Sequence, residues 1–124
     1  MYLFFDTETS GLPGNHDAPA SEYENWPRLV QIAWMLTDET GKELRNQSFI
    51  VRPDGFEIPA SATRVHGITT QTARRLGIEL EKVLTAFAND LSAGNILVGA
   101  INIAVYNLPV TNCSEMQRNA SVYI

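Results

Sequence analysis

The feature that most constrains this chain is its first apolar run, which leads directly into two carboxylates. Residues 2 to 7, YLFFDT, predict a buried strand because an unbroken apolar stretch precedes the first charge. Asp6 and Glu8 are two residues apart, and side chains at that spacing in a strand point to the same face. Carboxylates this close repel one another unless a cation or a proton lies between them. The stretch therefore predicts either a charged strand end or a site for a hard cation such as Mg²⁺ or Mn²⁺.

The order of the remaining elements predicts strands first and helices later. A loop rich in proline and glycine, 11–27, precedes two strands, 28–38 and 43–52, which the turn at 39–42 joins into a hairpin. The elements predicted after the hairpin are a short helix over 60–64, a helix that begins at Thr69 or Thr70 and ends at Gly77, an amphipathic helix over 79–92, a strand over 95–105 and a helix from about Pro109. This order predicts a mixed sheet covered by helices, an α/β or α+β fold.

Length and composition narrow the class of protein further. The 124 residues, 44% of them hydrophobic, suit one domain with its own core. The net charge of −5 gives no electrostatic reason to expect nucleic-acid binding, but it is compatible with an enzyme whose metal ions bring the positive charge. A single cysteine, Cys113, excludes an internal disulfide. Because neither a signal peptide nor a membrane-length apolar stretch is evident, we expect a cytoplasmic protein without a membrane span.

Three segments of the chain resemble a known enzyme family. FFDTETSGL, WPRLVQIAW and FIVRPDGFEIPASATRVHGIT are similar, in sequence and in spacing, to segments of the DnaQ-like (DEDD-type) 3′–5′ exonucleases. That family includes the proofreading (epsilon) subunit of bacterial DNA polymerase III and belongs to the ribonuclease H-like superfamily. The resemblance covers residues 1 to 99. It implies a ribonuclease H-like α/β fold: a mixed sheet with strand order 3-2-1-4-5, made of an antiparallel hairpin plus parallel strands and flanked by helices.

The resemblance also implies an activity and the residues that carry it. Members of the family remove nucleoside monophosphates from the 3′ ends of single-stranded DNA or RNA with two Mg²⁺ or Mn²⁺ ions. By resemblance, Asp6 and Glu8 are the catalytic metal ligands. The nucleotide-binding residues that it implies are Thr7, Thr9, Leu12, His66 and Asn102, with Leu12 as a wedge against the terminal base. A polymerase and a second copy of the chain stay open as protein partners.

The sequence departs from the family after Gly99. The family's second motif, H-N-x-x-F-D, is matched only at Asn102, and Tyr106 or Asn107 stands where its aspartate is expected. The third motif, H-x-A-x-x-D, supplies the general base and a further metal-binding acid, and it has no counterpart before Ile124. We therefore expect an exonuclease domain over 1–124 that is truncated before the third motif and lacks the fifth strand and closing helix. Two carboxylates cannot easily fix two metals, so we expect little or no activity.

Three interpretations of the sequence stay open. The chain is a 3′–5′ exonuclease with an altered C-terminal region, or a catalytically inactive module of the same fold that binds or interacts, or an unrelated acidic α/β protein with a coincidental D-x-E. Hydrolysis separates the first from the second, and Mg²⁺ binding separates both from the third. DNA and RNA substrates, and proofreading, repair and RNA trimming, are not distinguished. Trp26 and Trp34 are predicted to pack in the core or a loop, and His16 to be exposed.

Overall fold

The structure of the chain, a computed structural model, describes residues 1–91, 95–99 and 121–123. Its strands and helices are, in chain order, β1 (Tyr2–Thr9), β2 (Leu29–Thr37), β3 (Glu43–Ile50), α1 (Ala60–His66), α2 (Thr70–Leu76), α3 (Leu80–Asp90), β4 (Ile96–Gly99) and β5 (Ser121–Tyr123). None of the described helices is long and apolar enough to cross a bilayer. The predictions that lie outside the described residues concern Asn102, Cys113, the end of the fourth strand over 100–105 and the helix from Pro109.

The described strands form one mixed sheet of five in the order β3-β2-β1-β4-β5. The β2–β3 hairpin is antiparallel, β2 also runs antiparallel to β1, and β4 and β5 run parallel to β1. This confirms the predicted ribonuclease H-like sheet. The expectation that the fifth strand is missing was wrong, because Ser121–Tyr123 pairs with β4 from Ile96 to Val98. An open edge of β4 presents unpaired backbone groups, and this short stretch satisfies them although it lacks the family's motif.

The main core lies between α3 and one face of the sheet. Leu3 is fully buried there, and the Phe87 ring of α3 lies 5.6 Å from Phe5 and 5.3 Å from Trp34, measured between ring centroids. Trp34 is only 2% exposed, so its predicted place in the core is confirmed. Since Leu3 and Phe5 point toward α3, the residues that alternate with them along β1, such as Asp6, point to the other face. The amphipathic helix predicted from residue 79 thus buries its apolar side as expected.

Asp90 closes this core where α3 ends. It is 6% exposed and accepts a hydrogen bond of 2.8 Å from the indole Nε1 of Trp34. Its carboxylate also forms an ion pair with the guanidinium of Arg45 on β3, and its backbone carbonyl accepts from Asn95 at 3.2 Å. Among the described residues every buried side-chain nitrogen or oxygen has a hydrogen-bond partner. Asp90 therefore ties α3 to β2 and β3 without leaving an unsatisfied buried group.

A second cluster holds α1 and α2 against the ends of β2 and β3. Its buried members are Val30, Ile58, Ala62, Ile68 and Ala73. The predicted N-cap of α2 is confirmed at Thr69, whose hydroxyl accepts the backbone N–H of Thr72 at 3.1 Å. Gly77 ends the same helix, as predicted, and a Cβ there would lie 2.5 Å from the backbone nitrogen of Arg52. Only glycine lets the chain pass this close to the segment after β3. The cluster places the α1–α2 junction near Leu29, where β2 meets the end of β1.

Candidate active site

The two carboxylates predicted from the first strand lie on the sheet face opposite α3. β1 ends at Thr9 rather than at residue 7, so one strand carries both acids. Asp6 pairs with Ala33 and Glu8 with Gln31 across the β1–β2 ladder, which confirms that they share a face. Their Cα atoms are separated by two residues of strand, about 7 Å. Asp6 is exposed and Glu8 is half-buried, so solvent and a ligand can reach both.

No described residue neutralises these two carboxylates. Asp6 Oδ1 accepts the backbone N–H of Thr7 at 2.9 Å, and none of the ion pairs among the described residues includes Asp6 or Glu8. Carboxylate oxygens without a cationic partner are the ligands that a hard divalent cation prefers. No group of three or more acidic, histidine or cysteine ligands occurs within the described parts of the chain. A two-metal site therefore does not fit the described residues.

The chain leaves β1 through a turn that several hydrogen bonds fix. The β1–β2 register shifts between Glu8 and Thr9, which is a bulge of the kind that redirects side chains at a strand end. The Thr9 hydroxyl donates to the Gly11 carbonyl at 2.7 Å. Ser10 and Arg28 exchange two bonds: the Ser10 N–H donates to the Arg28 carbonyl at 2.9 Å, and the Arg28 N–H donates to the Ser10 hydroxyl at 2.8 Å. These bonds restrain the backbone next to Glu8.

Leu12 follows this turn with 74% of its side chain exposed. A large apolar side chain left in water just after β1 suits the predicted role as a wedge for a base. That contact stays a prediction.

The long loop over 11–27 is folded on itself, which the sequence did not predict. The Asn25 side-chain oxygen accepts the Asn15 N–H at 2.7 Å, and its amide nitrogen donates to the Asn15 carbonyl at 2.8 Å. Trp26 is half-buried and donates its indole Nε1 to the Pro19 carbonyl at 3.1 Å, which confirms its predicted packing role. His16 is exposed, as predicted. The only sequence signal for these bonds is the presence of asparagine in the loop, and it does not indicate which residue the asparagine side chain will bond.

His66 lies beside the turn, in the last turn of α1. α1 extends to His66 rather than ending at residue 64, and Gly67 caps it with a φ of 78°. The ring Nε2 is 3.2 Å from the Thr9 carbonyl oxygen, and Nδ1 accepts the Ile68 N–H at 3.1 Å. The structure therefore brings His66 to the end of β1 from a position 57 residues away. Its predicted contact with a nucleotide stays a prediction, as do the roles of Thr7 and Thr9.

Of the predicted site residues within the described chain, the structure brings His66 from α1 to Thr9 at the end of β1. Asp6, Thr7 and Glu8 lie on the same strand, and Leu12 follows it in the turn. Asn102 lies outside the described residues.

Comparisons with known proteins agree with this geometry. A family model described as "Exonuclease" (RNase_T) matches residues 3–121. The solved structures with similar folds include E. coli Exonuclease I in complex with a dT13 oligonucleotide, which is 26% identical with a TM-score of 0.63 over 85% of this chain. They also include an Exonuclease I from Methylocaldum szegediense, 21% identical with a TM-score of 0.66 over 82% of this chain, which supports the fold alone.

The chain spans only a fraction of these enzymes. The match covers 22% of the E. coli protein and 20% of the M. szegediense protein. No curated protein matches the sequence.

Proposed function

The chain belongs to the exonuclease family, whose model spans residues 3–121, and on that premise we propose that it removes nucleoside monophosphates from the 3′ end of a single strand in a metal-dependent reaction. The observation that carries the proposal is the pair Asp6 and Glu8, unneutralised by any described residue and placed on one face beside a fixed turn. We propose that the pair holds Mg²⁺ or Mn²⁺. A bound ion of this kind activates a water and stabilises the leaving oxygen in phosphoryl transfer.

The residues of the turn serve the nucleotide. We propose that the backbone around Thr7 and from Thr9 to Leu12 contacts the terminal nucleotide, and that Leu12 packs against its base. An apolar side chain that is 74% exposed gains most from such contact, since base faces offer a flat apolar surface. E. coli Exonuclease I holds a dT13 oligonucleotide in one crystal structure, which supports single-stranded DNA as the first substrate to test here. RNA is the alternative.

A second function is favoured by the small number of metal ligands. Within the described residues no third acidic, histidine or cysteine side chain joins Asp6 and Glu8. One cation held by two carboxylates still attracts a phosphate, but it lacks the second ion that stabilises both oxygens of the displacement. The second candidate is therefore an exonuclease-fold module that binds a 3′ end without cutting it.

A nuclease assay separates the two candidates. A 5′-labelled oligothymidylate and the matching oligouridylate are incubated with the chain and Mn²⁺ or Mg²⁺, and the products are resolved by length. The proposal expects slow shortening from the 3′ end that is lost in Asp6→Asn. The matched control is Glu39→Gln, an exposed acid in the β2–β3 turn at the other end of β1, where Thr37 pairs with Tyr2.

Each outcome of the assay has one meaning. Shortening that Asp6→Asn abolishes and Glu39→Gln keeps supports the exonuclease. Metal-dependent binding of the same labelled strand, measured by fluorescence anisotropy, with no shortening supports the binding module. The absence of both binding and shortening contradicts both candidate functions.

We propose two protein partners to test, a polymerase and a second copy of the chain. The first rests on the resemblance to a proofreading subunit. The second rests on the outer edge of β3, which pairs with no other strand among those described. Size-exclusion chromatography of the chain alone, with light scattering, detects self-association. We propose the cytoplasm as the location of the protein.

A further inference from the structure

We propose that His66 is a positioning residue, which fixes the Thr9 peptide and thereby the turn that meets the nucleotide. The inference rests on the proposed function for the role of that turn. It differs from the prediction of a direct contact, because both ring nitrogens are already bonded within the chain. Nε2 bonds the Thr9 carbonyl at 3.2 Å and Nδ1 bonds the Ile68 N–H at 3.1 Å.

The partners of the ring determine its tautomer. A backbone N–H only donates, so the Nδ1 that faces Ile68 presents a lone pair. A backbone carbonyl only accepts, so the Nε2 that faces Thr9 carries the hydrogen. While both bonds stand, no lone pair is left to take a proton from water or to ligate a metal. His66 therefore acts on the site through Thr9 and not as a base or a ligand.

The ring is mounted on a rigid support. Ile68 is 8% exposed and belongs to the second core cluster. The Gly67 N–H donates to the Thr63 carbonyl at 2.7 Å, and its φ of 78° turns the chain from α1 toward Ile68. His66 thus projects from a junction that the core holds in place. The core thus fixes the position of the His66 ring, and the ring in turn fixes the Thr9 peptide.

His66 bonds Thr9 at the point where the β1–β2 ladder is irregular. The β1–β2 register shifts between Glu8 and Thr9, and a bulge disrupts the regular ladder at that position. The bonds of Ser10 to Arg28 and of Thr9 to Gly11 hold the turn from within the β1–β2 pair. His66 supplies the bond that comes from the helices. Removing it frees the Thr9 peptide next to Glu8 and loosens the turn that ends at Leu12.

Two substitutions separate the two nitrogens of the ring. His66→Gln places an amide N–H where Nε2 lies and keeps the donor to Thr9, whereas His66→Asn places an oxygen where Nδ1 lies and keeps only the acceptor for Ile68. His66→Ala removes both. The matched control is Thr63→Val, which removes a hydrogen bond to Ile68 in the same junction but has no bond to Thr9.

The readouts are the affinity for a labelled oligothymidylate with Mn²⁺, the affinity for Mn²⁺ alone, and two NMR signals: the ring ¹⁵N shifts of His66 and the ¹³C′ shift of Thr9. We expect His66→Ala and His66→Asn to weaken oligonucleotide binding by about threefold to tenfold and to move the Thr9 signal. His66→Gln should recover the oligonucleotide binding and the Thr9 signal, and Thr63→Val should keep both. Mn²⁺ affinity is unchanged in all four.

The outcomes distinguish this inference from the function on which it rests. A wild-type chain that binds no oligonucleotide overturns the proposed function, while the NMR signals still test the hold on Thr9. A ring with its hydrogen on Nδ1, or a Thr9 signal that His66→Ala leaves in place, overturns the inference itself. Recovery of binding by His66→Asn but not by His66→Gln overturns it too, as does equal loss of binding in Thr63→Val.

Discussion

Asp90 and Asp6 are the same side chain in opposite settings, on the two faces of one sheet. Asp90 is 6% exposed and bonds Trp34 and Arg45, so it joins α3 to the strands. Asp6 is exposed, and among the described residues its carboxylate bonds only the neighbouring amide of Thr7. The α3 face thus uses its acid for stability, while the acids of the other face remain accessible to solvent. Substitutions on the two faces should therefore change different properties.

The largest expected effect comes from the core of the α3 face. Phe87→Ala removes the ring that packs on Phe5 and Trp34 and should lower the free energy of unfolding by about 3–5 kcal/mol. Urea unfolding followed by tryptophan fluorescence measures the loss. The control is Leu44→Ala on β3, whose side chain is 50% exposed and whose loss should stay near 0.5 kcal/mol, about the usual range for surface positions. A loss below about 1 kcal/mol for Phe87→Ala would break the comparison.

Asp90→Ala is expected to cost less, about 1–3 kcal/mol, because it leaves the buried indole N–H of Trp34 without its acceptor. Arg45 contributes little to this loss, since its side chain is 55% exposed and water replaces the lost partner. A double-mutant cycle with Trp34→Phe checks the assignment by urea unfolding. The cost of Asp90→Ala should shrink when Trp34→Phe is already present, and equal costs in both backgrounds would show that the indole bond is not the cause.

Asp6→Asn tests the other face and should hardly change stability, within about 0.5 kcal/mol of the wild type. A small gain is expected because the repulsion between Asp6 and Glu8 is removed. Mn²⁺ affinity, measured by isothermal titration calorimetry, should fall about tenfold or more. Loss of a residue that only hydrogen-bonds a metal ligand already lowers metal affinity about tenfold, and Asp6 is proposed to be a ligand itself. Glu39→Gln controls for the loss of one negative charge. A loss of stability as large as that of Asp90→Ala would contradict the division between the faces.

The smallest effect is expected at Asp38, in the turn after β2, which belongs to neither face. The hydroxyl of Thr40 and the N–H of Lys42 donate to this carboxylate and hold the pKa of Asp38 below its usual value. A lowered pKa in the folded state stabilises the fold above the unfolded value of about 3.9, and this contribution is lost as the pH falls through the folded value.

Asp38→Asn should therefore unfold at slightly lower urea than the wild type at pH 7, and the difference should vanish in acid. The effect is small because the carboxylate lies at the surface, where water screens its interactions. Urea midpoints at a series of pH values from 7 down to about 3 measure it. Glu39→Gln, next to it in the turn, is the control for the loss of one negative charge. A difference that grows in acid would reverse the sign and contradict the assignment.

The local parts of the fold could be predicted from the sequence. The hairpin over β2 and β3 follows from two strand-like segments joined by a short glycine turn, and α2 follows from the cap at Thr69 and the stop at Gly77. The shared face of Asp6 and Glu8 follows from the two-residue period of a strand. These signals lie within a few residues of the structure that they predict, which is why they were sufficient.

The contacts between distant segments could not be predicted in this way. His66 meets Thr9 across 57 residues, and Trp34 meets Asp90 across 56. Neither pair has a spacing that sequence periodicity detects, because tertiary packing brings the partners together. The fifth strand was missed for the same reason: a three-residue strand pairs with β4 because an edge is available there, and not because its own pattern is distinctive.

The loop over 11–27 has a practical consequence for labelling the protein. Ser10 and Arg28 clamp its base, and the paired amides of Asn15 and Asn25 close it again further out. The exposed tip around Ala20 lies beyond both closures. The entropic cost of lengthening a loop rises only with the logarithm of its length. A short epitope tag inserted there should therefore lower the stability of the fold only slightly. The tip therefore offers an internal attachment point that leaves both chain ends untouched.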